Sequence, residues 1–447
     1  MNSLQRATRS RTAAGLAVAA ALLVTACTGG TPAASTLSPT ASGTRGASGA
    51  PGASGAPGSP PAAQQVLKIS PAAGARDASP SGGITVTAAS GSKISAVTVK
   101  TTASEAVAGT LSGNGTSWHS SYALPTGQSY TVTATGTNRA GQRVTAASSF
   151  STLKPATAFH AEIFEGADQA YGVGMPIMLT FDHPITDKAA VERALTLATS
   201  KPVVGAWSWD GSEQLDFRPR DYWPAGTTVT FSSHLDGVQG APGVYGVHDL
   251  SQTFSIGQSV ISVANTSTHK AQVYIGGKLT YTWPISTGKT VTPTPDGTYL
   301  TVEKGNPVRM IGGTKGTPGY YNELVGYAVR FTFSGDYYHS APWSVVDQGT
   351  TNVSHGCVNL PPEDAAVYYQ LAVPGDPVTI TNSPKAGKWD NGWTEWFLSW
   401  PQYLAGSATH LAVAAGPGGS SLVSPASLAA DAGTAPLDTS APGNYAG

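Results

Sequence analysis

Through much of its length the chain alternates apolar and polar residues with a period of two. Ile84-Thr85-Val86-Thr87-Ala88, the run from Ile94 to Lys100, and Tyr130-Thr131-Val132-Thr133-Ala134-Thr135 each place apolar side chains on one face of an extended segment and hydroxyls on the other, the pattern of a half-buried strand. Gly, Ser and Asn clusters separate them, and short strands at that spacing predict a β-sandwich over residues 66–154. A second set covers 155–257: Ile177-Met178-Leu179-Thr180-Phe181, a hairpin signal at Asp210-Gly211 between Trp209 and Leu215, and a strand from Thr227 to Ser232, with one helical turn from Thr186 to Leu197. Neither segment carries a Cys…Trp…Cys frame, so both are immunoglobulin-like only in architecture. No sequence repeat relates them.

The region 258–382 is again rich in strands. Ile261 to Ala264 is followed by Gln272-Val273-Tyr274-Ile275, which turns at Gly276-Gly277 into Leu279 to Ile285, a β-hairpin by turn chemistry. Asp296-Gly297 marks a turn before Thr298 to Glu303, and Tyr327 to Phe333 leads through Ser334-Gly335-Asp336 into Tyr337-Tyr338-His339. Pro361-Pro362-Glu363-Asp364 opens a helix that runs to about Leu371, with proline at its start and acids in its first turn, and Pro377 to Thr381 closes the region as a strand. In the segment 383–404, Trp389, Trp393, Trp396 and Trp400 fall at helical spacing. Such a stripe more often packs on its own domain than stacks on sugars, so it is expected to form a helix on the region before it. Beyond it, 405–447 returns to Gly, Ala, Ser and Pro and is expected to be disordered.

Composition supports the mainly β reading. Serine, threonine, glycine and valine abound while lysine and glutamate are sparse, a balance that suits strands and turns. Charged residues make up 11% of the 447 and the net charge is -1, against a typical charged fraction of about 25%. There is no basic patch for nucleic acid. A length of 447 residues is enough for about three buried cores.

The N-terminus is of another kind. Arg6, Arg9 and Arg11 precede an apolar run from Ala13 to Ala26 that ends in Val24-Thr25-Ala26-Cys27. That run falls short of the roughly 20 residues a spanning helix needs. It resembles a signal peptide over 1–26 with the lipobox of bacterial lipoproteins, so cleavage before Cys27 and lipidation of that residue are expected in preference to an ordinary cleaved signal. Residues 27–65 read as a Gly/Ala/Ser/Pro tether, which as a flexible coil reaches roughly 35 Å on average. The mature protein is expected to sit on the outer face of the cell membrane, facing the cell wall.

Cys357 is then the only cysteine left for chemistry, in Ser354-His355-Gly356-Cys357-Val358-Asn359-Leu360. In an exported chain, where thiols oxidise, an unpaired cysteine is a liability unless its reactivity is used. An imidazole beside it is the usual means of making a thiolate near neutral pH. His355 and Cys357 on one extended strand have Cα atoms about 6 to 7 Å apart, loose for a hydrogen bond. If His339 ends a neighbouring strand directly opposite the cysteine, the Cβ atoms approach to about 4.5 to 5.5 Å, which makes His339 the candidate base. A zinc site from His339, His355 and Cys357 is a weak alternative, because a structural zinc takes four protein ligands and a catalytic one usually three with their supporting partners. A non-catalytic cell-wall-binding lipoprotein with an idle thiol is another.

His339-Ser340-Ala341-Pro342-Trp343, then Gly349, then Ser354-His355-Gly356-Cys357-Val358-Asn359-Leu360 resembles the signature of the L,D-transpeptidases, the YkuD-type cell-wall cross-linking enzymes. Many members have arginine where this chain has Asn359, but asparagine is similar to what the actinobacterial branch carries. The order of lipoprotein signal, tether, two immunoglobulin-like domains, catalytic domain and Trp-rich segment is similar to that branch. The resemblance implies Cys357 as nucleophile, His339 as base, and the Ser340 carbonyl as the group that orients the imidazole. It implies that backbone amides around His355, Gly356 and Cys357 stabilise the oxyanion, with Ser354 and Asn359 supporting the loop and contacting substrate. Tyr321, in Pro318-Gly319-Tyr320-Tyr321, is similar to the tyrosine of the family's lid; Met310 and Trp343 would line the substrate groove. The expected reaction takes a peptidoglycan tetrapeptide stem as donor, releases D-alanine through a thioester, and passes the acyl group to a second stem in a 3→3 cross-link. Water as acceptor would give an L,D-carboxypeptidase, and a protein lysine would give anchoring. No cofactor or metal is implied, and carbapenem β-lactams are expected to acylate Cys357.

Overall fold

The computed structural model describes residues 66–317 and 319–431; the signal, Cys27 and the tether lie outside the described residues. The N-terminal sandwich has one sheet of Leu67–Ser70, Thr85–Ala88, Ser117–Ser120 and Gly109–Leu111 and a second of Lys93–Thr101, Ser129–Thr137 and Arg143–Ser151. Period-two patterning sets the inner face. Along Ser129–Thr137, Tyr130, Val132 and Ala134 are buried while Thr131 and Thr133 face solvent. Their core is completed by Leu67, Ile84, Val86, Trp118 and Phe150.

In the second sandwich, Val203–Asp210 and Gln214–Pro219 form the hairpin expected at Asp210-Gly211. The helical turn is shorter than expected. It spans Lys188–Arg193, started by Asp187, whose carboxylate accepts from the Ala190 amide at 3.3 Å. Leu195–Thr199 instead joins a sheet beside Thr228–Ser233, because its alternating Leu and Thr residues fit a strand whose inner face is buried.

Two expectations about the C-terminus are corrected. Within the segment expected to be disordered, Ala412–Gly416 and Gly419–Val423 pair with each other and extend the second sandwich, with Val203 opposite Ala415 and Gly205 opposite Val413; its last residues, 432–447, lie outside the described residues. The catalytic region is therefore inserted between this sandwich and its last two strands. Alanines hide such a strand in composition, yet Ala412, Val413 and Ala415 are buried. The turn before it is fixed by the Glu192 carboxylate, which accepts from Ser407 Oγ at 2.7 Å, the Ala408 amide at 2.6 Å and Thr409 Oγ1 at 2.8 Å.

The tryptophans do not share one helix. Glu395–Phe397 is a short 3-10 turn and Pro401 sits in the first turn of a separate helix, Trp400–Ala405. Trp393 and Trp396 are buried, mainly against the second sandwich, not on the region before them, while Trp389 is 39% exposed. Trp396 donates its indole N–H to the Gly174 carbonyl at 2.8 Å and lies 4.3 Å from the Tyr222 ring, and Trp393 meets Phe164 edge-on at 5.3 Å. Arg218 lies under Trp396 and Tyr403, at 4.3 and 4.6 Å, and donates to the Glu395 and Leu398 carbonyls. Only Phe397 turns the other way, onto Tyr299 at 5.0 Å.

The region 258–382 contains a five-stranded sheet in the order Lys278–Pro284, Lys270–Ile275, Val260–Asn265, Pro377–Thr381, Gly297–Leu300, and a four-stranded sheet of Glu303–Gly305, Ala328–Arg330, Tyr337–Ser340 and Val358–Leu360. The helix Pro362–Leu371 forms as expected, with Glu363 and Asp364 in its first turn. It drives Tyr368 into the core against Tyr338, ring centres 4.7 Å apart. The paired hairpin Val308–Gly312 and Tyr321–Val325 hydrogen-bonds to neither sheet but packs against Ala328 and Tyr337 of the second. Backbone bonds from Gly172 to Pro374 at 2.8 Å and from Gly174 to Gly375 at 2.9 Å join this region to the second sandwich. A Cβ on Gly172 would overlap Asp376, so that approach needs glycine.

Ending the chain at Gly406 should therefore destabilise the folded protein although it removes no site residue. It bares the edge of Val203–Asp210 and leaves the Glu192 carboxylate without its turn. Losing those bonds and the burial of Val413 should lower the thermal midpoint by on the order of 5 °C or more, read by calorimetry against the full chain.

Candidate active site

Tyr337–Ser340 and Val358–Leu360 run parallel, with Tyr338 opposite Val358 and His339 opposite Asn359. Cys357 thus sits just before the paired end of its strand, diagonal to His339. This corrects the expected direct opposition, though diagonal side chains remain within reach. The offset arises because the nucleophile loop bends at residues 355–357 before the strand begins.

His339 is 4% exposed, and its Nδ1 lies 2.9 Å from the Ser340 carbonyl oxygen. A carbonyl only accepts, so Nδ1 carries the proton and Nε2 is left with its lone pair. Burial pushes the imidazole down to about 4, with the Ser340 carbonyl opposing weakly. The ring stays neutral at physiological pH, in the form a general base requires.

The nucleophile loop is held by hydroxyls. Ser354 Oγ donates to the Cys357 carbonyl at 2.6 Å and accepts from the Gly356 amide at 3.1 Å. Thr294 Oγ1 donates to the Gly356 carbonyl at 2.7 Å while accepting from the Gly288 amide at 2.9 Å. Gly356 has φ +138, and a Cβ there would strike Asp336 Oδ1, so glycine is required both by conformation and by contact.

Cys357 is a free thiol, partly open to solvent. It packs beside Tyr321 and Tyr337 against a small apolar cluster of Met310, Val325 and Ala328. Desolvation, aided by the nearby Asp336 carboxylate, pushes the thiol up to about 12, and the Tyr337 backbone N–H opposes this only in part. The thiolate that an imidazole usually helps to form is thus disfavoured by its surroundings. Thiol and imidazole are both neutral at rest, since the same enclosure raises one and lowers the other.

The hairpin Val308–Gly312 and Tyr321–Val325 covers one side of the site. Tyr321 stacks on His355 at 4.7 Å with planes 28° apart. Lys289 Nζ donates to His355 Nε2 at 3.0 Å, so His355 is engaged as an acceptor and is not the base.

Residues 259–380 match the model of the L,D-transpeptidase catalytic domain, and residues 75–239 match a bacterial Ig domain. L,D-transpeptidase 2 of Mycobacterium tuberculosis is 34% identical over 330 residues, covering 73% of this chain and 80% of that one. The chain belongs to the L,D-transpeptidase family. L,D-transpeptidase 5 of the same organism is 34% identical over 358 residues, 78% of each chain. A solved L,D-transpeptidase 3 from Mycobacterium tuberculosis, in complex with a faropenem-derived adduct, is 33% identical, covering 49% of this chain and 96% of that one at a TM-score of 0.41.

In this transpeptidase, most of the expected site residues fall on two paired strands, the nucleophile loop and the hairpin beside it. His339, the Ser340 carbonyl, Ser354, His355, Gly356, Met310 and Tyr321 lie in the contacts above, and Trp343 stands 54% exposed with its ring 6.0 Å from that of His339. Asn359 departs from its expected substrate contact. It is 3% exposed, and its side-chain amide donates to Ser344 Oγ at 3.0 Å, so it supports the strand from inside. The Gly356 amide is engaged by Ser354, which leaves the amides of His355 and Cys357 as the candidate oxyanion donors in this loop.

Sequence reasoning missed Asp336, Lys289, Thr294 and Ser344. Ser334-Gly335-Asp336 reads as turn chemistry, and the turn is there: Asp336 Oδ2 accepts from Thr332 Oγ1 at 2.8 Å. Nothing in the sequence says that the turn also abuts Gly356.

The neutral pair has a direct consequence for pH. With the thiol raised to about 12 and the imidazole lowered to about 4, the ion pair should be absent at pH 7. The ultraviolet thiolate absorbance of the free enzyme, corrected with Cys357→Ala, should stay near zero through neutrality and rise only in strong alkali. A thiolate band at pH 6 to 8 would contradict a neutral resting pair.

Proposed function

We propose that Cys357 and His339 carry out peptidoglycan cross-linking by a thioester route. The observation that supports this reading most is the oriented imidazole: a buried ring whose Nδ1 is spent on the Ser340 carbonyl, which leaves Nε2 as its basic nitrogen, on the strand paired with the one that follows the free thiol. As Sγ attacks the carbonyl of the third, diamino-acid residue of a tetrapeptide stem, its proton passes to His339 Nε2. Enclosure disfavours both charged partners, so transfer belongs to the attack and not to a prior equilibrium. The oxyanion is met by backbone amides of the nucleophile loop. When the tetrahedral species collapses, the C–N bond breaks, Nε2 returns the proton to the leaving amine and D-alanine departs. The side-chain amine of a second stem then attacks the thioester, gives its proton to Nε2 and restores the thiol, leaving a 3→3 cross-link.

The same thiol is the expected target of carbapenems, which present a strained carbonyl to it. The ring opens on acylation, so the whole inhibitor is retained. Intact-mass measurements with a disaccharide tetrapeptide and with a carbapenem test both points. The native enzyme should gain the donor less D-alanine, or the full inhibitor mass; Cys357→Ala should gain neither, and His339→Ala should acylate about 10² to 10⁴ times more slowly. Full-rate acylation of His339→Ala would remove the imidazole from its role.

We infer further that Cys27 is lipidated and that its tether holds the folded part off the outer face of the membrane, a reading supported by Val24-Thr25-Ala26-Cys27 after a short apolar run. Expressed in a lipoprotein-processing bacterium, the native chain should fractionate with membranes and Cys27→Ala with soluble material. Equal fractionation would remove the anchor.

A further inference from the structure

Lys289 lies in the loop between Pro284 and Gly297, and that loop is laced to the nucleophile loop. The Lys289 amide donates to the Ser354 carbonyl at 3.0 Å, the Ser354 amide to the Thr287 carbonyl at 3.0 Å, and Thr292 Oγ1 to the Ser354 carbonyl at 3.2 Å. The backbone of Lys289 is thus fixed a few residues from Cys357. Its ammonium donates to His355 Nε2, and the His355 ring is clamped from the other side by Tyr321 of the hairpin.

The charge on this ammonium is uncompensated. An ammonium has only protons to give, so Nε2 of His355 is the acceptor and the imidazole is neutral; burial and the lysine itself both push His355 downward. Among the described residues no carboxylate lies within ion-pair distance of Lys289. Glu323, on the hairpin, acts on His355 at longer range but does not pair with the lysine. Arg330, near Tyr337, is by contrast matched by Glu303 at 2.8 Å. A cation held in place at the mouth of a thiol site, without an anion of its own, is suited to an anion on the substrate.

We propose that Lys289, positioned by His355 and Tyr321, is the specificity residue that recognises a carboxylate of the donor stem close to the scissile bond. This rests on acylation of Cys357 as described above. Two carboxylates have that chemistry: the one on the departing terminal residue, and the one on the side chain of the diamino acid. In either position the lysine acts on donor choice and takes no proton in the reaction.

The test is the initial rate of acyl-enzyme formation, followed by intact mass, for the native enzyme, Lys289→Gln and Lys289→Arg. Each meets the free-acid tetrapeptide, its terminal carboxamide, and its side-chain carboxamide. The native enzyme should react about tenfold or more faster with the free acid than with one of the two amides, the size a charge-assisted hydrogen bond supplies; which amide is slow identifies the carboxylate. Lys289→Gln should lose that discrimination with an unchanged thermal midpoint, and Lys289→Arg should keep most of it. Equal native rates on all three donors, or a native preference that survives in Lys289→Gln, would overturn the proposal while leaving Cys357 acylation intact. Failure of the native enzyme to acylate at all would overturn the underlying reading instead.

Discussion

One hydrogen bond decides the chemistry of this site. Because His339 Nδ1 is committed to the carbonyl of the next residue, the ring has one basic nitrogen and one orientation. No carboxylate partner is needed for this, and a carbonyl differs from a carboxylate in consequence. It fixes the tautomer but gives little support to an imidazolium, so burial prevails and the ring is driven toward neutrality. The cysteine has the mirror-image situation. Enclosure by Met310, Tyr321 and Tyr337, with a carboxylate close by, opposes the thiolate. A neutral pair costs no buried charge at rest, and charge separates only when a substrate carbonyl and the loop amides are there to receive it. A thiol held in this state also resists adventitious oxidation, which proceeds through the thiolate.

The loops around the pair serve this arrangement by geometry more than by charge. Ser354 bonds twice within the nucleophile loop and Thr294 once to it, its hydroxyl being held in turn by the Gly288 amide, so the turn at Gly356 is set by three short contacts. Asp336 shows the tension in the design. Its carboxylate closes the neighbouring turn through Thr332 and abuts Gly356, yet it disfavours the thiolate it stands beside. Lys289, on the opposite loop, supplies the only cation tied directly to the nucleophile segment among the described residues.

How much of this was legible in the sequence depends on the range over which each feature is determined. Strands such as Ser129–Thr137 were plain, since their burial pattern repeats every two residues and needs no partner to be recognised. The hairpin turns at Asp210-Gly211 and Gly276-Gly277 were equally local. Cys357 was found as the one cysteine left for chemistry and His339 as the histidine that strand pairing could bring to it, whereas the Ser340 carbonyl came only with the family resemblance that their two segments carry. The diagonal placement of His339 and Cys357 was not legible, because register between two strands separated by a loop is set by that loop's bends. Asp336 and Lys289 were missed for the same reason: each is an ordinary turn residue until folding carries it to the thiol. The C-terminal strands escaped because alanine and glycine carry almost no period, and the tryptophans misled because spacings of three and four satisfied a helix that Pro401 and the turn at Glu395–Phe397 interrupt.

The inserted topology explains why those tryptophans are where they are. A catalytic region joined to its neighbour by one linker would be free to swing, whereas this one leaves the second sandwich at about residue 257 and returns to it as the strand Ala412–Gly416. The two crossings are held together by Trp396, Arg218 and Tyr403, the last donating its hydroxyl to the Asp216 carbonyl at 2.8 Å. Burial disfavours charge on the carboxylates of that junction, pushing Glu165 up to about 8 and Glu395 up to about 7, and Asp216 well upward. Arg218 spreads its own charge over two aromatic faces. An aromatic junction crossed twice ties the catalytic region to the second sandwich at both ends. The hairpin bearing Tyr321 exposes Ile311 and Leu324 and pairs with neither main sheet, but it packs Met310 and Val325 against Ala328 and Tyr337 of the four-stranded sheet, so its inner face is tied to the same strands that carry His339.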